Sequence, residues 1–334
     1  MYACKLIPLH CTSALAACMM DFVEQKRAIG QKFNGGVEVF NLFDRFCREQ
    51  GLEAPLITKE LLSRWEAKRP HENESTQQFR VSYVRELCKY MHANGYSVPT
   101  AFHPEPKRSN AFVPHIFTKS ELSGMFAAME STKFVPQSPL RHLVMPILFR
   151  FIYTCGLRAS EAARVRITDM DLENGCAEIY NAKGDRDRVV GISDSMLMRL
   201  RDYRRSQPIR EFRSEYFFPA PDGGFYDTST LYDYFRDSLF DAGIHHRGRG
   251  YGPRMHDLRH SFAVHVLERW SRAGKDVYTC LPILRIYLGH EGMKTTERYL
   301  RLVPSAYDVI TKPFENRFET ITEKLKNEQQ RQLL

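Results

Sequence analysis

The chain has 334 residues, of which 43% are hydrophobic and 26% charged, a globular composition that excludes disorder and fibres. No apolar run reaches the roughly 18–20 residues a bilayer-spanning helix needs, which excludes an integral helical membrane protein. The formal net charge of +8 permits a polyanionic partner without requiring one, and the eight cysteines form neither a C-x-x-C pair nor a zinc-finger spacing.

Those cysteines lie in apolar stretches and read as small buried thiols in a reducing compartment. The opening LIPLHCTSALAACMM has an A-x-A-like end, but His10, Cys11, Thr12 and Ser13 interrupt it and a helical pattern follows. It reads as folded chain rather than a secretory leader, so the compartment expected is the cytoplasm. Residues 14–29 and 35–50 carry apolar residues at helical spacing, among them Val37, Phe40, Phe43 and Phe46. Thr58 is placed to cap a third helix to about 69. Glu74 or Ser75 opens a fourth, stopped near 93 by Asn94-Gly95. Residues 1–100 thus predict a small helical domain. Arg80, Arg85 and Lys89 fall near one face of its last helix, where a solvated charged face is the plain reading.

Residues 98–114, VPTAFHPEPKRSNAFVP, hold Pro99, Pro104, Pro106 and Pro114 and lack periodicity, which predicts a linker over 101–114. Beyond it, Thr118 and Glu121 have capping-box spacing. A long apolar helix at about 139–155 is ended by Gly156, and a short one follows at 159–166. Residues 176–192, CAEIYNAKGDRDRVVGI, switch to alternation and predict a β-hairpin with Lys183 in its basic turn. Helices return at about 194–206, 228–242, 256–270, 279–288 and 292–299, and a charged, Gln-rich helix closes the chain at 315–334. The fold class expected is mainly α (α+β). A second domain at 115–314 is mostly helical with a small antiparallel sheet.

Several polar residues stand where a plain core does not want them. Arg158 opens a helix in TCGLRASEAARV, with Glu161 three positions on. His256 and Arg259 share that spacing in HDLRHSFA. His290 follows Leu288-Gly289, and Tyr299 comes nine positions later. Singly, each has an ordinary explanation: a surface ion pair, a solvated lysine, a helix-end histidine, a core tyrosine. In this order, GLRASE, AKGDRDR, HDLRH, LGH and TTERYL resemble the tyrosine recombinase, or phage-integrase, family, and the resemblance covers the whole chain.

The resemblance implies a core-binding domain followed by a catalytic domain. It implies Tyr299 as nucleophile, Arg158 and Arg259 as a phosphate clamp, and His256 as proton acceptor. Lys183 becomes the general acid, His290 a phosphate hydrogen-bond donor, and Glu161 an orienting residue. Guanidinium suits the clamp because it is always charged and binds phosphate bidentately. No carboxylate cluster suited to Mg²⁺ stands out, so no divalent metal and no cofactor are expected. The partner implied is double-stranded DNA at inverted-repeat sites, held by a homo-oligomer that is a dimer per site and a tetramer in synapsis. A nucleoid-associated location when bound follows. Arg80, Arg85 and Lys89, and the basic loop HHRGRGYGPR with Arg247, Arg249 and Arg254, become candidate DNA contacts. The glycines of that loop would let backbone approach phosphate. The last helix would dock on a neighbouring protomer or else fray.

Arg259 and His290 stand 31 positions apart, longer than in compact members. The stretch ERWSRAGKDVYTCLPIL resembles integrases of bacterial transposable elements, including those found as trios, so sister recombinases are expected partners. Two alternatives stay open: a relaxing type IB topoisomerase, and a DNA-binding accessory protein without catalysis of its own.

Overall fold

The computed structural model describes residues 6–99, 113–180, 187–248 and 251–302. The chain divides into two compact units, Met1–Phe112 and Val113–Leu334.

Among its described residues the first unit contains four helices: α1 Ala16–Ala28, α2 Asn34–Glu49, α3 Lys59–Glu66 and α4 Glu74–Ala93. Local chemistry sets their starts. The Thr58 hydroxyl accepts from the Leu61 N–H at 3.1 Å, and the Asn73 side chain accepts from the Thr76 N–H at 2.8 Å. Met19, Phe22, Phe40, Phe43, Trp65, Leu87 and Met91 form the core. The buried Asp44 carboxylate accepts from the Thr12 and Ser13 N–H groups, which ties the N-terminal segment to α2.

The second unit opens with α5 Lys119–Glu130, whose Thr118–Glu121 capping box is complete, and α6 Arg141–Thr154, half of whose residues are buried and none fully exposed. After α7 Ala159–Ala163 come, among the described residues, three short strands, β1 Met170–Asp171, β2 Cys176–Ile179 and β3 Arg188–Gly191. They form one antiparallel sheet in the order β1-β2-β3, with Ala177 opposite Val190 and Ile179 opposite Arg188. Then follow α8 Asp194–Arg205, α9 Gln207–Glu211, α10 Thr228–Asp241, α11 Asp257–Arg272, α12 Val277–Leu288 and α13 Met293–Glu297. The main core of this unit gathers Phe117, Leu148, Phe149, Phe218 and Phe235. A second cluster, with Val264, Leu267, Leu281, Leu284 and Leu288, includes Tyr299. The long interval between Arg259 and His290 is therefore ordered: it completes α11 and builds α12, which pack on each other through this cluster.

The mainly helical class with a small antiparallel sheet is as expected. β1 and α9 were not predicted, and the tip of the hairpin, residues 181–186, lies outside the described residues, as does the closing segment 315–334. Among the described residues, no helix is long and apolar enough to cross a membrane. The described cysteines are all free, and burial pushes Cys47, Cys88 and Cys155 up to about 12, which keeps them as inert thiols.

Candidate active site

Two glycine turns build the floor of the site. Gly156 ends α6 at φ 59°, and Gly289 ends α12 at φ 67°, both in the left-handed region that other residues avoid. These turns aim backbone carbonyls at one guanidinium. Arg259, on the first turn of α11 and 1% exposed, donates from Nη1 to the Gly156 carbonyl at 2.9 Å and from Nη2 to the Leu288 carbonyl. Burial, with the nearby Arg158 charge, lowers its pKa to about 10, which still leaves it charged at neutral pH. Its Nε is buried without a hydrogen-bond partner among the described residues.

Glu161 joins the arginines. It is buried on α7 and takes the Arg158 N–H at 3.0 Å and the Arg158 side chain. Arg188, the first residue of β3, donates to it at 2.8 Å and 3.3 Å, and Arg259 Nη1 stands 3.7 Å away. Burial by itself would raise this carboxyl. The Arg188 hydrogen bonds and charge, the Arg158 N–H and the Arg259 charge outweigh it and hold the group at about 2. Three guanidiniums around one carboxylate leave positive charge in surplus, the electrostatics of an anion site. Arg188 also donates from Nε to the Tyr287 carbonyl at 2.9 Å, which fastens the sheet to the end of α12. Sequence reasoning missed Arg188, taking it as part of a basic turn.

Tyr299 lies past the end of α13, 3% exposed, where the expected helix has already given way to a turn. Burial raises its phenol above the ordinary 10, while the Arg259 and Arg158 charges pull it down. Its hydroxyl is 3.0 Å from Nδ1 of His260, and the two ring centroids are 5.5 Å apart. His260 was also missed, although it stands in the HDLRH stretch. His256, at the start of α11, makes an edge-to-face contact with His260 at 4.7 Å and keeps one side in solvent. The His290 ring stacks on Tyr299 at 6.0 Å and pairs through Nδ1 with the Thr296 hydroxyl at 2.9 Å. All three histidines are held neutral. Burial and then Arg259 take His290 to about 3 and His260 to about 4; His256 shifts the same way, through loss of water around its ring and the charges of His260 and Arg259.

The second unit thus brings Arg158, Glu161, His256, Arg259, His290 and Tyr299 together, whereas Lys183 and Arg249 lie outside the described residues. Arg247 and Arg254 are exposed, as is Lys89. Gly252 makes its close approach to the His246 carbonyl of its own loop, where a Cβ would sit 1.7 Å from the oxygen. Arg80 corrects the expectation of a DNA contact. It is 3% exposed, pairs with Glu72 at 2.8 Å, donates to the Trp65 and Ala67 carbonyls and lies over the Trp65 ring. It closes the junction of α3 and α4 because Trp65 offers it a face and Glu72 a charge. Arg85 is spent similarly on Glu66, at 2.9 Å. Among the described residues, no group of three His, Cys, Asp or Glu side chains is placed to hold a metal ion.

Residues 115–305 match the Phage integrase family. The chain belongs to that family. An integrase/recombinase-named protein of Sinorhizobium fredii, y4rB, is 28% identical over 318 residues, 93% of this chain and 100% of that one. Among solved structures, the XerH site-specific recombinase bound to a palindromic difH substrate, a post-cleavage complex, superposes with a TM-score of 0.63 at 18% identity, covering 89% of this chain and 84% of that one. A lambda integrase tetramer bound to a Holliday junction superposes with a TM-score of 0.59 at 14% identity, covering 84% and 78%. At these identities the structural likeness is one of fold. As a phage integrase family member, the chain is a tyrosine-type recombinase, an enzyme of site-specific DNA recombination.

Proposed function

We propose that this protein cuts and rejoins DNA through a 3′-phosphotyrosyl bond to Tyr299 and exchanges strands by way of a Holliday junction, in the integration or transposition of a mobile element. The observation that carries the reading is a buried tyrosine beside the Arg158–Glu161–Arg259 cluster, with the charges of both arginines acting on its hydroxyl. A phosphodiester attacked at phosphorus gathers charge on its non-bridging oxygens, and preset guanidiniums in a low-dielectric site stabilise that charge. The buried Arg259 Nε, without a hydrogen-bond partner among the described residues, gains an acceptor when a phosphate oxygen arrives.

The roles follow. Arg158 and Arg259 clamp the phosphate, and Glu161 with Arg188 holds them in register. His290 spends Nδ1 on the Thr296 hydroxyl, which leaves Nε2 as the ring atom to donate to a phosphate oxygen. Lys183 protonates the 5′-oxygen as it leaves. The bond to Tyr299 conserves the energy of the broken ester, so a 5′-hydroxyl from another strand reseals it without ATP. Arg247, Arg249, Arg254 and Lys89 are the remaining candidates for DNA contact. A dimer on each inverted-repeat site and a tetramer in synapsis complete the reading, with sister recombinases as further partners.

The test is covalent trapping. Duplexes from the DNA flanking the gene are nicked so that the cleaved strand escapes, and mixed with protein in EDTA. An SDS-resistant protein–DNA band is expected from wild type and absent from Tyr299→Phe, while DNA binding is kept. Specific binding without any band would replace this reading with an accessory role.

A further inference from the structure

We infer that Thr296 is a positioning residue for strand cleavage, whose buried hydroxyl sets the ring of His290 so that Nε2 carries the proton offered to the phosphate. The inference rests on the recombinase reading above and adds a residue to it. Thr296 lies on α13, fully buried, three positions before Tyr299. A helical threonine commonly turns its hydroxyl back to a carbonyl of the preceding turn. This one reaches out of its helix to Nδ1 of His290, at 2.9 Å. Its carbonyl accepts the Tyr299 N–H at 3.0 Å. One residue thus joins the histidine to the backbone of the nucleophile, and the rings of His290 and Tyr299 stack at 6.0 Å and 25°. The tip of Tyr299 is held separately, by Nδ1 of His260 at 3.0 Å and by the Arg259 side chain.

A neutral imidazole has one N–H and one bare nitrogen, and its partners decide which is which. Burial and the charges of Arg259 and Arg158 keep His290 neutral, so it has a single proton to place. If Nδ1 held that proton and donated to the Thr296 oxygen, Nε2 would turn a lone pair on an anionic phosphate oxygen. With the hydroxyl donating to Nδ1, the proton sits on Nε2 and answers the phosphate. Arrival of a phosphodiester beside Arg158 and Arg259 therefore selects the second arrangement. Thr296 can supply it because a hydroxyl serves as donor or acceptor. A valine there has the same shape and no donor. It would leave Nδ1 buried without a partner and let the ring keep its proton on either nitrogen.

The experiment measures single-turnover rates of covalent-complex formation on a nicked duplex that traps the wild type, with DNA affinity measured beside them. Thr296→Val should bind DNA as wild type does and form the complex about 10–100-fold more slowly, the scale of a buried polar atom left unpaired. Thr296→Ser, which keeps the hydroxyl, should recover most of the rate. His290→Ala should be slower still, and the double variant with Thr296→Val no slower than His290→Ala alone, because residues that act as one unit do not add. If valine is not tolerated in the fold, Thr296→Cys, smaller and a poor donor, takes its place. A valine or cysteine variant at the wild-type rate would overturn the inference. So would a serine variant as slow as the valine one, which would make shape decisive and not the hydroxyl. A double variant in which the two losses multiply would overturn it too, by placing the effect of Thr296 outside His290. Each of these outcomes leaves the recombinase reading standing. A covalent band from Tyr299→Phe would overturn both.

Discussion

Glu161 holds more of the site together than any residue that touches DNA in the proposed reaction. Its carboxylate answers three arginines that would otherwise repel one another. A carboxyl held at about 2 instead of the ordinary 4.5 stabilises the fold by about 3 kcal/mol at neutral pH. Because the folded value is the depressed one, this stabilisation is complete above about pH 4.5 and is lost as pH falls towards 2. Glu161→Gln should therefore lower stability in urea titrations by about 3 kcal/mol at pH 7. At pH 4 the gap from wild type should narrow by about 1 kcal/mol, as the wild-type carboxyl begins to protonate in the unfolded chain. An equal gap at both pH values would mean that glutamine harms the site through shape and not through charge. The sequence could pair Glu161 with Arg158, three positions away on the same turn, and the family resemblance implied its orienting role. It could not offer Arg188, whose partner is 27 positions distant and whose own surroundings read as a basic hairpin.

Elements were legible where their signal is local. The capping box of α5, the alternation of β2 and β3 and the Asn94-Gly95 stop of α4 are each written within a few residues. β1, two residues long, and α9, five, are too short to show a period, and both are held by neighbours. Gly289 shows how an element end becomes part of a site. The left-handed turn closes α12, and a Cβ there would meet Arg188 Cδ and Nη1 at 3.2 Å. Gly274, which ends α11 at φ 71°, has nothing within 4 Å and isolates the conformational cost. Gly274→Ala should cost about 1–2 kcal/mol from the left-handed backbone alone. Gly289→Ala should cost more, and of the two only it should slow covalent-complex formation, because it presses on Arg188 and moves the Leu288 carbonyl that aims Arg259. Equal kinetics in the two variants would detach the turn from the site.

At the scale of the molecule, each unit has its own core and its own reporter. The chain has two tryptophans. Trp65 is buried in the first unit's core, with the guanidiniums of Arg69 and Arg80 each over its ring. Trp270 packs on the second unit's cluster that contains Tyr299. The described histidines with lowered proton affinity, His246, His256, His260, His265 and His290, all belong to the second unit. Their folded values lie below the unfolded 6.5, so the stability they confer is present above that pH and is lost as pH falls towards 4 and 3. In the first unit the corresponding group is Glu72, held below 4.5 by its hydrogen bonds with Arg80, whose contribution fades only under pH 4.5. Single-tryptophan variants, Trp65→Phe and Trp270→Phe, should separate these windows. Fluorescence from Trp270 should report loosening of the second unit between pH 6.5 and 4. Fluorescence from Trp65 should hold its native value until below pH 4.5. The order follows from which ionisable groups each core has enclosed: in the second unit, histidines packed beside buried arginines are held neutral, and those are the first groups that acid charges. Coincident transitions would show instead that the histidine cluster destabilises the chain as one cooperative body.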